Sequence, residues 1–238
     1  MNMCKTTVVA GLALGLSAMV QAEIIGTISI TSNYVSRGVT QTNNQAAVQG
    51  GLEYTEPDGL YAGVWASNIT DGTEVDLTVG FQGSMKSFDY DINLVRYEYP
   101  QASPDVCDPD YTELSAQIST QHGIGEFTAG ISYTLDSDTP DHLGKNDTNI
   151  EGDMYYFVSA GMPLRNDWHV AGTLGYYDYH DNGDQNLGVR KTTPYKHIEV
   201  SLDKDLDDLG AMTFALSKAD KDSGDDDPLV SVAWSQHF

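Results

Sequence analysis

The stretch LVSVAWSQHF, residues 229–238, decides how this chain is read. In an extended strand Val230, Val232, Trp234 and Phe238 share one face, and Ser231, Ala233, Ser235 and His237 share the other. Only Gln236 interrupts the apolar side. A strand that ends on an aromatic residue matches the C-terminal assembly signal of membrane β-barrels, so Val230, Val232, Trp234 and Phe238 are the candidate signal residues.

The same two-residue period runs back through the chain. Ile28 and Ile30 alternate with Ser29 and Thr31, and Tyr34 falls on the apolar parity. Val75, Leu77, Val79 and Phe81 alternate with Glu74, Asp76, Thr78 and Gly80; Phe127, Ala129, Ile131 and Tyr133 alternate with Thr128, Gly130 and Ser132. About twelve such segments are legible, an even number as single-chain bacterial barrels require. Alternation alone does not separate a soluble sandwich from a membrane barrel. The connections do: short ones such as EPDG at 56–59 alternate with long ones near 36–45, 99–110, 136–153, 178–194 and 218–228. Short turns on one rim and long loops on the other predict an antiparallel transmembrane β-barrel of about twelve strands, occupying residues 23–238, with periplasmic turns and extracellular loops.

The beginning of the chain fits that destination. Lys5 precedes the apolar run VVAGLALGLSAMV at 8–20, and Val20-Gln21-Ala22 offers a cleavage site. Residues 1–22 therefore read as a cleaved signal peptide, the run being short for a membrane-spanning helix. Cleavage takes the formal charge from −23 to about −24 and leaves Cys107 as the one cysteine, so the mature chain has no internal disulfide. So acidic a chain repels phosphates, which excludes nucleic acid as a partner. The expected location is the bacterial outer membrane, with outer-membrane lipid and the barrel-assembly machinery as partners.

Of fourteen tyrosines, eleven sit at the loop-proximal ends of the proposed strands: 34, 97, 99, 111, 133, 155, 156, 176, 177, 179 and 195. A ring with a polar tip suits the lipid headgroup level, so these are expected to form an outer girdle.

NYVSRGVTQT at 33–42 resembles the opening strand of the TorF-type family of proteobacterial outer-membrane porins, in which a Tyr and then Arg-Gly close the first strand. The similarity continues through AAVQGGLEY at 46–54 and GLYAGVWASN at 59–68, is densest over 26–80, and thins to strand rhythm beyond. The resemblance implies a porin-like barrel and no catalytic residues.

Inward-facing carboxylates are frequent: Glu53, Glu74, Asp76, Asp89, Asp91, Glu113 and Glu199. Lining a lumen they favour cations; as merely the polar half of a barrel pattern they are solvated and unselective. Arg37 is the basic pore-lining candidate, on the inward face near the outer rim, and one cation among so many acids is expected to pair with one of them. The Asp-rich loops, including Gly224-Asp225-Asp226-Asp227, lack the spacing of a known calcium loop and read as solvated. No metal or cofactor is expected: His169, His180 and His197 are scattered. His197 and Ser201 stand about 13 Å apart on a strand, which speaks against a serine hydrolase and against an enzyme altogether.

These readings converge on a narrow channel for passive diffusion of small hydrophilic solutes, with a cation preference expected from the balance of its charges. Loop 136–153 or 178–194 is expected to fold inward and constrict it. A plugged barrel acting as a surface interaction protein is the alternative, an outer-membrane hydrolase a distant third, and the oligomeric state stays open. Mass spectrometry of the exported protein should find a mature N-terminus at Glu23; retention of the first 22 residues would overturn the signal-peptide reading.

Overall fold

A computed structural model describes residues 22–101, 110–138, 150–180 and 193–238. The proposed signal peptide up to residue 21, Cys107, Asp141, Asp147 and the middles of loops 136–153 and 178–194 lie outside the described residues.

Twelve antiparallel strands close a barrel, as the alternation predicts. In chain order they are β1 (Glu23–Thr31), β4 (Ala47–Thr55), β5 (Leu60–Ile69), β6 (Gly72–Met85), β7 (Phe88–Glu98), β8 (Tyr111–His122), β9 (Gly125–Ser137), β10 (Met154–Pro163), β11 (Trp168–Asp178), β12 (Tyr195–Asp205), β13 (Ala211–Ala219) and β14 (Leu229–His237). Every neighbour in sequence is a neighbour in the sheet, and β1 pairs with β14 to close it. Two further strands, β2 (Val35–Ser36) and β3 (Val39–Thr40), make a small hairpin of their own inside the connection from β1 to β4.

The period-two pattern sets which face is which. Val48, Leu52, Leu77, Val79, Ile92, Ile118, Val158, Leu174, Val200 and Leu216 are all exposed on the outside, the arrangement a lipid-facing wall requires. The interleaved residues point inward and are polar: Ser67, Glu74, Asp91, Glu113, Ser132, Thr134, His197 and Ser217 are buried. No described helix is long and apolar enough to cross a membrane.

The tyrosine girdle needs correction. Tyr133, Tyr156 and Tyr176 do face outward, on adjacent strands, with the Tyr156 and Tyr176 rings 6.3 Å apart. The other eight point into the barrel. Tyr97 and Tyr99 share the parity of Asp91 and Asn93, and Tyr195 that of His197 and Glu199. Tyr34, on the outward parity of Ile30, turns inside because the chain leaves β1 and bends over the rim. The outward aromatics gather instead toward the short turns, where Trp168 packs near Phe214 and the Trp234 indole donates to the Leu209 carbonyl at 2.8 Å.

The four candidate assembly residues lie on the outer face of β14, with Val230 64% and Phe238 77% exposed. Phe238 extends the closing seam by one rung: Gly26 donates to its carbonyl at 2.9 Å and its own amide donates to Gly26 at 3.0 Å. Its ring occupies the space a side chain on residue 26 would take, 2.5 Å from that position. Glycine there is what lets the aromatic end lie flat on β1. Deleting Phe238 should lower the yield of heat-modifiable folded barrel several-fold while export continues. Equal folded yield, read by gel shift, would count against the role.

Candidate functional site

The site is built from the β1–β4 connection, residues 32–46, which folds into the barrel. Its hairpin turns at Arg37 and Gly38, with φ of +49° and +84°. Two consecutive left-handed residues define a type I′ turn, which normally prefers Asn-Gly. Gly38 belongs there; a side chain in its place would sit 2.5 Å from the His197 Cβ. Arg37 is an uncommon residue for that backbone, at a cost of order 1 kcal/mol.

What offsets that cost is the reach of the guanidinium. Arg37 donates from Nη1 and Nη2 to the two oxygens of Glu113 on β8, at 2.8 and 2.6 Å, a bidentate charged pair. Glu113 is only 2% exposed and Arg37 20%. The guanidinium carbon stands 4.6 Å from the centre of the Tyr155 ring and 5.7 Å from that of Tyr177, within cation–π range. Burial alone would weaken the Arg37 charge; the facing Glu113 carboxylate overrides it and holds the pKa well above the ordinary value.

Further contacts fix the hairpin. Tyr195 donates its hydroxyl to the Arg37 carbonyl at 3.1 Å. Tyr34 donates to Glu74 at 2.8 Å, as does Tyr99. Thr70, in the β5–β6 turn, donates its amide to the Gln41 carbonyl at 2.9 Å. Asp225 in the last loop accepts from the Thr40 amide at 3.3 Å. The connection thus touches β6, β8, β10, β11 and β12 from its root between β1 and β4, spanning the lumen as a crossbar.

The inward tyrosines form the surround. Tyr97 stacks on Tyr111 at 4.3 Å, Tyr177 on Tyr195 at 5.5 Å, and Tyr155 on the His197 ring at 5.8 Å while its hydroxyl meets His197 Nε2 at 2.8 Å. On the rim, Asp153 accepts from the His180 amide at 2.8 Å and the Tyr177 hydroxyl at 3.1 Å, and burial pushes its carboxyl up to about 6.

The remaining sequence candidates spread along the wall rather than meeting at one point. Asp91 is fully buried, taking hydrogen bonds from Tyr61 at 2.9 Å and Asn93 at 2.6 Å. Asp76 keeps one buried oxygen without a hydrogen-bond partner. Glu53 and Glu199 are half-buried on separate stretches of wall, and Asp89 lies near the short-turn rim beside Ser84. Sequence reading missed two inward acids, Glu126 and Asp203, though both stand on the polar parity. His169 is 3.7 Å from Asp203, and Ser201 and Thr213 give their hydroxyls to the same carboxylate, at 3.2 and 2.7 Å. Glu126 and His169 border a small recess of about 30 Å³ on the inner wall. Among the described residues no cluster of His, Cys, Asp and Glu is arranged to hold a metal.

Charge on the inner wall is one-sided. Arg96 lies on the outward parity at the loop rim, held by Glu98 at 2.8 Å, by Asp138 and by Asp110 at 3.7 Å. Lys196, Lys204 and Lys218 also share the outward parity of their strands. Among the described residues of the barrel interior, Arg37 is the one permanent cation.

The family model of Gcw_chp, described as a bacterial protein of unknown function, matches residues 17–235. No curated protein matches by sequence. Among solved structures, the KdgM porin in complex with disordered oligogalacturonate aligns with TM-score 0.57 and 4% identity, covering 90% of this chain and 97% of that one. The NanC porin aligns with TM-score 0.52 and 10% identity, covering 90% and 98%. OccD1 (OprD) aligns at 0.46 and 13% identity, and this chain spans 65% of its length. At these identities the likeness is one of fold.

Breaking the crossbar should free the hairpin. Glu113→Ala removes the partner of a mostly buried cation, at about 2 kcal/mol, or roughly thirtyfold in the released fraction. Added trypsin should then cut folded protein between Arg37 and Gly38, a bond protected in the unmodified chain. Unchanged protection would mean the pair does not hold the hairpin.

Proposed function

This chain belongs to the Gcw_chp family, and we propose that it is a porin-like outer-membrane channel for small hydrophilic solutes, narrowed by its own inserted hairpin and preferring cations. The observation that carries the reading is the inner wall: a closed transmembrane barrel whose inward strand positions hold Glu53, Glu74, Asp76, Asp89, Asp91, Glu113, Glu126, Glu199 and Asp203 against Arg37. Like charges confined in a narrow lumen raise the local cation concentration and repel anions. Location in the outer membrane is supported by the fold shared with the KdgM and NanC porins and by the signal-peptide pattern of residues 1–22. The likeness of residues 33–68 to TorF-type porins points the same way.

A second reading draws on the crossbar itself. A hairpin clamped across the lumen suits a closed barrel that displays acidic loops to a surface partner. Conductance separates the two.

In planar bilayers the protein should conduct with a cation-selective reversal potential at 0.1 M salt. The selectivity should fade toward 1 M, as the screening length falls from about 10 Å to about 3 Å. Glu53→Gln with Glu199→Gln should weaken it further, because both carboxylates stand on the inward face of their strands and are only partly buried. Anion selectivity would transfer control to Arg37. A folded barrel without conductance would favour the interaction-protein reading.

A further inference from the structure

The surroundings of Arg37 have the form of a receptor. A nearly buried carboxylate, Glu113, presents both oxygens to one guanidinium at 2.8 and 2.6 Å. Tyr155 offers its ring face at 4.6 Å and Tyr177 at 5.7 Å. Fork-shaped pairing plus flat aromatic faces is selective chemistry: it suits a planar, weakly hydrated guanidinium and serves a compact, strongly hydrated ammonium or sodium ion poorly.

The walls of this cage belong to barrel strands, β8, β10 and β11, whereas its occupant arrives on a separate hairpin. The occupant is also costly to deliver, because Arg37 takes a left-handed backbone that asparagine would adopt more readily. A residue held against its backbone preference, with its head group in a site built by other elements, behaves as a tethered ligand.

We infer that the Glu113–Tyr155–Tyr177 cage is a binding site for the guanidinium group of an external solute, occupied in cis by Arg37. The same hairpin that crosses the lumen is the lid of this site, and a solute that takes the cage displaces the guanidinium that latches it. Tethering gives Arg37 an effective concentration in the millimolar range or above, so a free guanidinium competes only when it approaches that level. A carboxylate as buried as Glu113 is strongly stabilised by a facing cation; when Arg37 leaves, a cationic solute supplies it. Occupancy of the cage does not depend on conduction, and binding alone reports it.

The test uses folded, detergent-solubilised barrel and methylguanidinium as the probe, with methylammonium as its control. Arg37→Asn empties the cage and installs Asn-Gly, the favoured pair for this turn, so the hairpin keeps its fold; heat-modifiability on a gel confirms the barrel. By calorimetry the variant should bind methylguanidinium at least tenfold more tightly than the unmodified protein does, and at least tenfold more tightly than it binds methylammonium. Glu113→Gln added to Arg37→Asn should abolish the difference. Equal binding of the two cations would reduce the cage to general acidity and overturn the proposal. So would equal methylguanidinium affinity with and without Arg37. Should Arg37→Asn not fold, Arg37→Ala serves the same comparison, since a released hairpin leaves the cage open.

Discussion

No water reaches the middle of a bilayer, so a sheet that crosses it must pair every backbone amide with another strand. An edge left open there costs several kcal/mol per unpaired group. The β1–β14 seam is where this chain meets that constraint, and it is the shortest in register: five residue pairs against twelve between β8 and β9. Extra contacts lengthen it at both ends. Gly26 and Phe238 exchange two hydrogen bonds at one, and at the other the Ser32 amide donates to the Val232 carbonyl while Ser32 Oγ accepts from the Val232 amide, each at 2.9 Å. Closure then dictates everything else: strands alternate faces, so an apolar exterior forces an interior made of the other half of each strand.

That interior has its own satisfaction problem. Carboxylates and hydroxyls facing a narrow lumen lose water and need partners. Tyrosine solves this economically, since its ring fills volume and its hydroxyl donates to an acid: Tyr61 to Asp91, Tyr34 and Tyr99 to Glu74, Tyr177 to Asp153. The aromatic collar at the loop end is therefore a lining, stabilised by the same acids that give the wall its charge.

Strands, turns, the loop rim and the inward acids were legible because each depends on local periodicity. Eight of the eleven loop-side tyrosines line the lumen instead of the lipid face, for an instructive reason. A ring with a polar tip suits a headgroup layer and a polar lumen equally well, so residue type does not choose between them. Parity does: Tyr97 and Tyr111 stand in step with Asp91 and Glu113, whereas Tyr133 stands in step with Ile131. The inserted hairpin was beyond local reading. Arg-Gly is a weak turn signature, and the carboxylate that receives Arg37 lies 76 residues away. The middles of loops 136–153 and 178–194, expected to constrict the lumen, lie outside the described residues; that the 32–46 connection inserts depends on what its tip finds inside, and that is a tertiary fact.

Energetically the hairpin is distinct from the barrel around it. Its tip is held by a bidentate charged pair worth about 1.5–3 kcal/mol and a ring contact worth about 0.5–2 kcal/mol, less of order 1 kcal/mol for the strained turn. Neighbouring barrel strands share between five and twelve register pairs, and the closed sheet opens as a unit. Release of the tip is thus far less costly than opening the barrel around it. Because the tip and any cation entering the cage compete for one carboxylate, the hairpin equilibrium and cation occupancy are linked: a ligand shifts the first only as far as it binds better with the tip out than with the tip in. A single buried glutamate thereby couples the charge of the lumen to its shape.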